Sequence, residues 1–205
     1  MPRVNIIASL NSSVNDIAIL SNYNLGSKTL DVRYQYMISE VLMVRLFSIL
    51  ESTISEVAFK LACGAVYRNG NAPLLHTTCR SIQDAHVTML TYNRPRRRQL
   101  RYHRWTKADF VKESIEHVLD TTDSFFINVQ NHGTLINEMR IVRNHIAHKA
   151  SSTRQEYYQL LNLTYGGNPR IAVGSFLTST SRNPMANIDR YIASTRIILN
   201  DITGG

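Results

Sequence analysis

Apolar side chains return every three or four residues along most of this chain, and no segment sustains the one-in-two alternation of a half-buried strand. The longest run of helical spacing passes through Ile38, Leu42, Leu46, Ile49, Leu50, Ile54, Val57 and Leu61. Residues 30 to 62 contain neither Gly nor Pro, and Gly64 follows as a stop. One long helix, or two continuing in line, is predicted there, long enough to cross a small domain at ~1.5 Å per residue. Ahead of it, the Asn- and Ser-rich first 28 residues hold only one short apolar run, Ile17-Ala18-Ile19-Leu20, which predicts a short helix and then a loop.

Beyond Gly64, Asn69-Gly70-Asn71-Ala72-Pro73 marks a turn, and a helix follows at about 81–92. Thr106 with Asp109 has the spelling of an N-cap for a helix with Phe110, Ile115, Val118 and Leu119 on its apolar face. Leu135, Met139, Val142 and Ile146 repeat at steps of four, three and four, predicting a helix from about Thr134 with that stripe against a core. Ser151-Ser152-Thr153 precedes a short helix through Tyr157, Leu160 and Leu161, which Gly166-Gly167-Asn168-Pro169 breaks. Residues 171–177 are the one strand candidate, and a last helix uses Ile188, Ile192, Leu199 and Ile202. The pattern predicts an all-α bundle of four to six helices with a long central one. It is expected to form a single domain over 1–205, with a core at about 30–151, a basic insertion at 64–106 and C-terminal helices at 152–205.

Size and charge narrow the class. A chain of 205 residues that is 43% hydrophobic can bury a core on its own. No uncharged apolar run is long enough for a bilayer, so no membrane partner is expected. The start, Met1-Pro2-Arg3-Val4-Asn5, turns polar too early for a secretory leader, and a cytoplasmic protein is expected. Cys63 and Cys79 have no pairing or metal spacing and are expected to be free thiols. A net charge of +8 and a pI near 9.7 point to an acidic partner, with nucleic acid ahead of an anionic membrane or an acidic protein. From Arg94 to Lys107 there is no acidic residue. Arg96, Arg97, Arg98, Arg101 and Arg104 lie there among Tyr92, Tyr102 and Trp105, a composition suited to neutralising phosphates while aromatic faces stack on unpaired bases. The same segment would also serve as an anchor for an acidic protein.

Candidate chemistry concentrates at Arg143-Asn144-His145-Ile146-Ala147-His148. An arginine followed by a histidine after four to six residues is common in this chain, for Arg80/His86, Arg97/His103, Arg98/His103 and Arg140/His145 also fit. Among these arginines only Arg143 is followed directly by Asn. At ~100° per residue Asn144 and His148 lie about 40° apart on one helix face, whereas Arg143 lies about 140° from His148. A bent arginine, or a second copy of the helix, would be needed to bring both to one point. His145 points elsewhere and reads as structural or interfacial. Glu51, between Phe47 and Ile54, reads either as a boundary residue reaching solvent or as a carboxylate that orients an Arg or His. His145 and His148 lack a third ligand at metal spacing, so neither metal nor cofactor is expected.

The segment from Met139 to Lys149 resembles the signature of the HEPN superfamily: an arginine, a polar residue, and a histidine near a helix end. The helix carrying Ser48-Ile49-Leu50-Glu51 is similar to the one that precedes the motif helix in many members, so the resemblance extends over about 32–151. It implies a metal-independent endoribonuclease working as a homodimer, often a toxin held by an antitoxin or an antiphage effector. In that reading the RNA 2′-OH attacks the adjacent phosphorus and leaves a 2′,3′-cyclic phosphate. His148 serves the proton steps, Arg143 the phosphoryl oxygens, and Asn144 orients one of them. The competing expectations are a non-catalytic RNA-binding or protein-interaction module of the same fold, and a partner-regulated toxin with other chemistry.

Overall fold

A computed structural model describes residues 5–91, 104–167 and 169–205, and among these it is an all-α helical bundle. Nine helices are present among the described residues, with one isolated bridge between Leu75 and Leu119 in place of any strand. They are α1 (Ile6–Ser27), α2 (Val32–Ala62), α3 (Ile82–Thr91), α4 (Ala108–Ile115), α5 (Ser124–Asn131), α6 (Gly133–His148), α7 (Ser151–Tyr165), α8 (Val173–Thr178) and α9 (Asn187–Gly204). The extra members beyond four to six are mostly short.

The contacts divide the chain into two units. The first gathers Met1–Ser13, Leu50–Ile136 and Ile197–Gly205. Its core is the apolar stripe of α2 (Leu50, Ile54, Val57, Leu61) with Ile6 and Leu10 of α1, Val111 and Ile115 of α4, Phe125 and Phe126 of α5, and Ile198, Leu199 and Ile202 of α9, all buried. The hydroxyls of Ser13 and Thr53 meet at 2.6 Å inside it, which satisfies two polar groups that burial would otherwise penalise. Asp123 caps α5 by accepting the Phe125 N–H at 2.9 Å. Its carboxylate also accepts from Leu74 N–H at 2.8 Å and from the Tyr67 hydroxyl, pinning the turn-rich connection after α2. Burial and this carboxylate push the Tyr67 phenol far above its ordinary value, so it remains a donor.

The second unit gathers Val14–Ile49 and Asn137–Arg196. Leu42, Met43, Leu46 and Phe47 of α2, Met139 and Val142 of α6, Tyr157 and Leu161 of α7, Phe176 of α8 and Tyr191 of α9 are buried in it. Glu138 on α6 accepts from Arg190 and from the Tyr191 hydroxyl, the latter at 2.6 Å. Gly174 opens α8 against α2: its N–H reaches Glu40 Oε1 at 3.1 Å, and a β-carbon there would lie 2.8 Å from the Tyr36 α-carbon.

Several local expectations change. The N-terminal helix is long because its buried face, Ile6, Ser9, Leu10, Ser13, Ile17, Leu20, mixes apolar residues with small hydroxyls that pack without apolar periodicity. α4 starts after Lys107 with no side-chain cap, so Thr106 does not play that part, and Val118 and Leu119 are buried beyond its end. α5 is an additional helix, and Asp123-Ser124-Phe125-Phe126 is its start signal. The strand candidate at 171–177 folds into α8. On α6, Ile136, Met139 and Val142 are buried, whereas Leu135 and Ile146 are half-buried.

Candidate functional site

α6 ends at His148, and α7 begins three residues later. The turn is this tight because Lys149 takes the left-handed conformation, φ 47°, and its N–H returns to the His145 carbonyl at 3.3 Å. Ala150 then starts α7, its carbonyl accepting from the Thr153 hydroxyl at 3.0 Å. His148 and Lys149 are exposed at this hairpin, as is Arg154 one turn into α7.

Arg143 is half-buried. One of its guanidinium nitrogens donates to Asn144 Oδ1 at 2.8 Å, and the group lies 5.1 Å from the centre of the Phe47 ring, a cation–π contact from α2. Asn144 and Phe47 thus both restrict the arginine's direction. Arg140, by contrast, is committed elsewhere, to Glu156 at 3.2 Å and Asn137 at 3.1 Å.

The two histidines of the motif have opposite surroundings. His145 stacks on Tyr157 with ring centres 4.7 Å apart and planes 12° off parallel. Its Nδ1 is buried without a hydrogen-bond partner. Burial first, then the cations Arg154 and Lys149, hold this imidazole below its ordinary pKa, so it is neutral at physiological pH. His145 is a half-buried packing residue, and His148 is the exposed motif histidine.

The other expected site residues belong to the first unit or fall outside the described residues. Glu51 is half-buried on α2 in the first unit, which does not contain the motif. Arg96, Arg97, Arg98 and Arg101, with Tyr92, Tyr102 and His103, fall outside the described residues. Arg104 is bound to Glu113 at 2.6 Å and sits 3.8 Å over the Phe110 ring. Trp105 is buried edge-on against Phe59, 5.5 Å away, so as a base-stacking platform it is corrected to a core residue. Among the described residues no group of three His, Cys, Asp or Glu converges at metal-ligand distance. No helix among them is long and apolar enough to cross a membrane. The partners that set the motif's geometry, Phe47 and Tyr157, carry no sequence signal linking them to it, because each reads as an ordinary core position of its own helix.

Comparison with protein-family models, with curated proteins and with solved structures returns no match.

Proposed function

We propose that this chain is a metal-independent endoribonuclease whose site is built on Arg143, Asn144 and His148. The carrying observation is the contrast at the α6–α7 hairpin: one motif imidazole is half-buried and stacked on Tyr157, and the other is exposed one residue before an exposed cation, Lys149. An imidazole open to solvent can take a proton from a 2′-OH or give one to a departing 5′-oxygen. A guanidinium held in direction by Asn144 can bind two non-bridging phosphoryl oxygens as negative charge develops on them. The 2′-OH is the nucleophile, its bond to phosphorus forms as the bond to the 5′-oxygen breaks, and the products are a 2′,3′-cyclic phosphate and a 5′-OH end.

Because Arg143 and His148 project from α6 about 140° apart, two copies of the motif in a homodimer would complete the site more readily than one. Tyr34, Met37 and Val41, all exposed on one outward face of α2, are apolar surface of the kind found at subunit contacts. The biological role in this reading is that of a toxin or antiphage effector acting on RNA in the cytoplasm under the control of an antitoxin or other regulatory protein. The second reading is a non-catalytic RNA-binding or interaction module. It is favoured by Arg143 already being occupied by Asn144 and Phe47.

RNA incubated with the protein and EDTA should be cut to ends bearing 2′,3′-cyclic phosphate, while DNA, or RNA with one 2′-deoxy sugar at the cleaved position, should resist. Arg143→Ala and His148→Ala should each slow cleavage by at least ~10²-fold, the scale of losing one acid–base or charge-stabilising group. His86→Ala, whose ring packs on Phe59, is the control and should cost far less. Full activity in His148→Ala would end the catalytic assignment and leave the binding module.

A further inference from the structure

Cys63 and Cys79 are fifteen residues of loop apart in sequence, yet the fold lays the two segments side by side in the first unit. Cys79 N–H donates to the carbonyl of Ala62, the residue before Cys63, at 2.8 Å. A second contact agrees: a β-carbon on Gly64 would lie 3.9 Å from the Thr78 side chain. A backbone bond of this kind brings the two α-carbons to on the order of 5–6 Å, within the span that a disulfide bridges. Both thiols are free in this structure, Cys79 buried and Cys63 half-exposed.

We propose that Cys63 and Cys79 form an intramolecular disulfide when the protein meets a hydroperoxide, Cys63 reacting first and Cys79 resolving it. The exposure difference sets the order. The Cys63 thiolate attacks one peroxide oxygen: an S–O bond forms, the O–O bond breaks, and water leaves after protonation, with the sulfur oxidised to a sulfenic acid. The Cys79 sulfur then attacks the Cys63 sulfur: the S–S bond forms, the S–O bond breaks, and a second water leaves. Two thiols have lost two electrons and two protons, and one hydrogen peroxide has become two waters.

The surroundings make this a slow latch. Burial raises both thiols above the ordinary cysteine range, and the Asp84 carboxylate adds to each, so little thiolate is present at neutral pH. The same burial protects the product, because a small thiol cannot reach the Cys79 sulfur and a weakly acidic leaving thiol departs slowly. The bond would close the loop that starts at Gly64 and carries Tyr67 and Leu74 to Asp123. The inference is independent of the ribonuclease reading, and its measurement does not use RNA.

The reduced full-length chain, exposed to hydrogen peroxide and then alkylated, should lose two hydrogens in intact mass and take up no alkyl group. Digestion without reductant should yield the peptide joining Cys63 to Cys79. The oxidised protein should melt at a higher temperature than the reduced one, and reductant should reverse this. In Cys79→Ser, a sulfenic acid should persist on Cys63 and be trapped by a dione probe. Cys63→Ser, altered at the less buried position, should leave Cys79 alkylatable after the same treatment. Two alkylatable thiols in the oxidised wild type, or a bond between two chains in place of the internal one, would overturn the proposal.

Discussion

Two residues separate His145 from His148, and the hairpin gives the two rings different surroundings. Protonating His145 puts a charge on a ring stacked over Tyr157, near Arg154 and Lys149, which is why its folded pKa lies below 6.5. A histidine depressed in the folded state binds its proton more readily when unfolded. Its effect on stability is therefore absent well above the unfolded value, and stability falls as pH drops below about 6.5 toward the folded pKa. His145→Phe keeps an aromatic ring on Tyr157 without the titration. The melting temperature of wild type should fall more between neutral and mildly acid pH than that of the variant, and parallel curves would contradict a half-buried ring held neutral. At this scale the sequence showed the group types and their angular spacing on α6. That His145 is structural and His148 lies near the helix end was legible, but the ring that His145 stacks on was not, because Tyr157 is a residue of the next helix.

Among the elements, legibility followed how apolar the buried face is. α2 and α9 bury Leu, Ile, Val and Phe at helical spacing and read cleanly. α1 buries Ser9, Ser13, Asn24 and Ser27 among its apolar positions, so its true length was hidden behind polar letters. α8 shows the opposite failure, since Val173, Phe176 and Leu177 suit a strand as well as one helical turn and a half. Tertiary contact decides it, through the close seat of Gly174 on Tyr36 and the hydrogen bond to Glu40. Gly174→Ala should then be destabilising although alanine favours helices, because the added methyl meets the Tyr36 backbone. A loss of about 1–3 kcal/mol in urea denaturation is expected, the usual cost of overpacking. A neutral or stabilising result would show that α8 can move off α2 freely.

For the whole molecule, the all-α class followed from period alone, and the charge of +8 follows from composition. The division into two units did not, because spacing reveals which face of a helix is buried and not which neighbours cover it. α2 changes neighbours at Leu50, and nothing in its letters marks the change. Each unit is built from distant stretches: residues 1–13, 50–136 and 197–205 in one, 14–49 and 137–196 in the other. α9 supplies both, and its part in the first includes the Asp201 carboxylate on His132 at 2.7 Å and the Thr203 carbonyl under Arg68 at 3.0 Å. In the second it brings Arg190 and Tyr191 to Glu138.

That distribution has a consequence on the ribosome. Translation at roughly 5–20 residues per second delivers every partner of α9 before α9 itself, so neither unit has all its parts until it emerges. Long-range closure of this kind is slow, and the waiting chain exposes apolar surface that a chaperone or a cognate binding protein can occupy. A chain ended before Asn187 should leave both units unprotected in amide hydrogen exchange, not just one. Full protection of residues 50–136 in such a chain would mean that the first unit can close without its last strand of contacts.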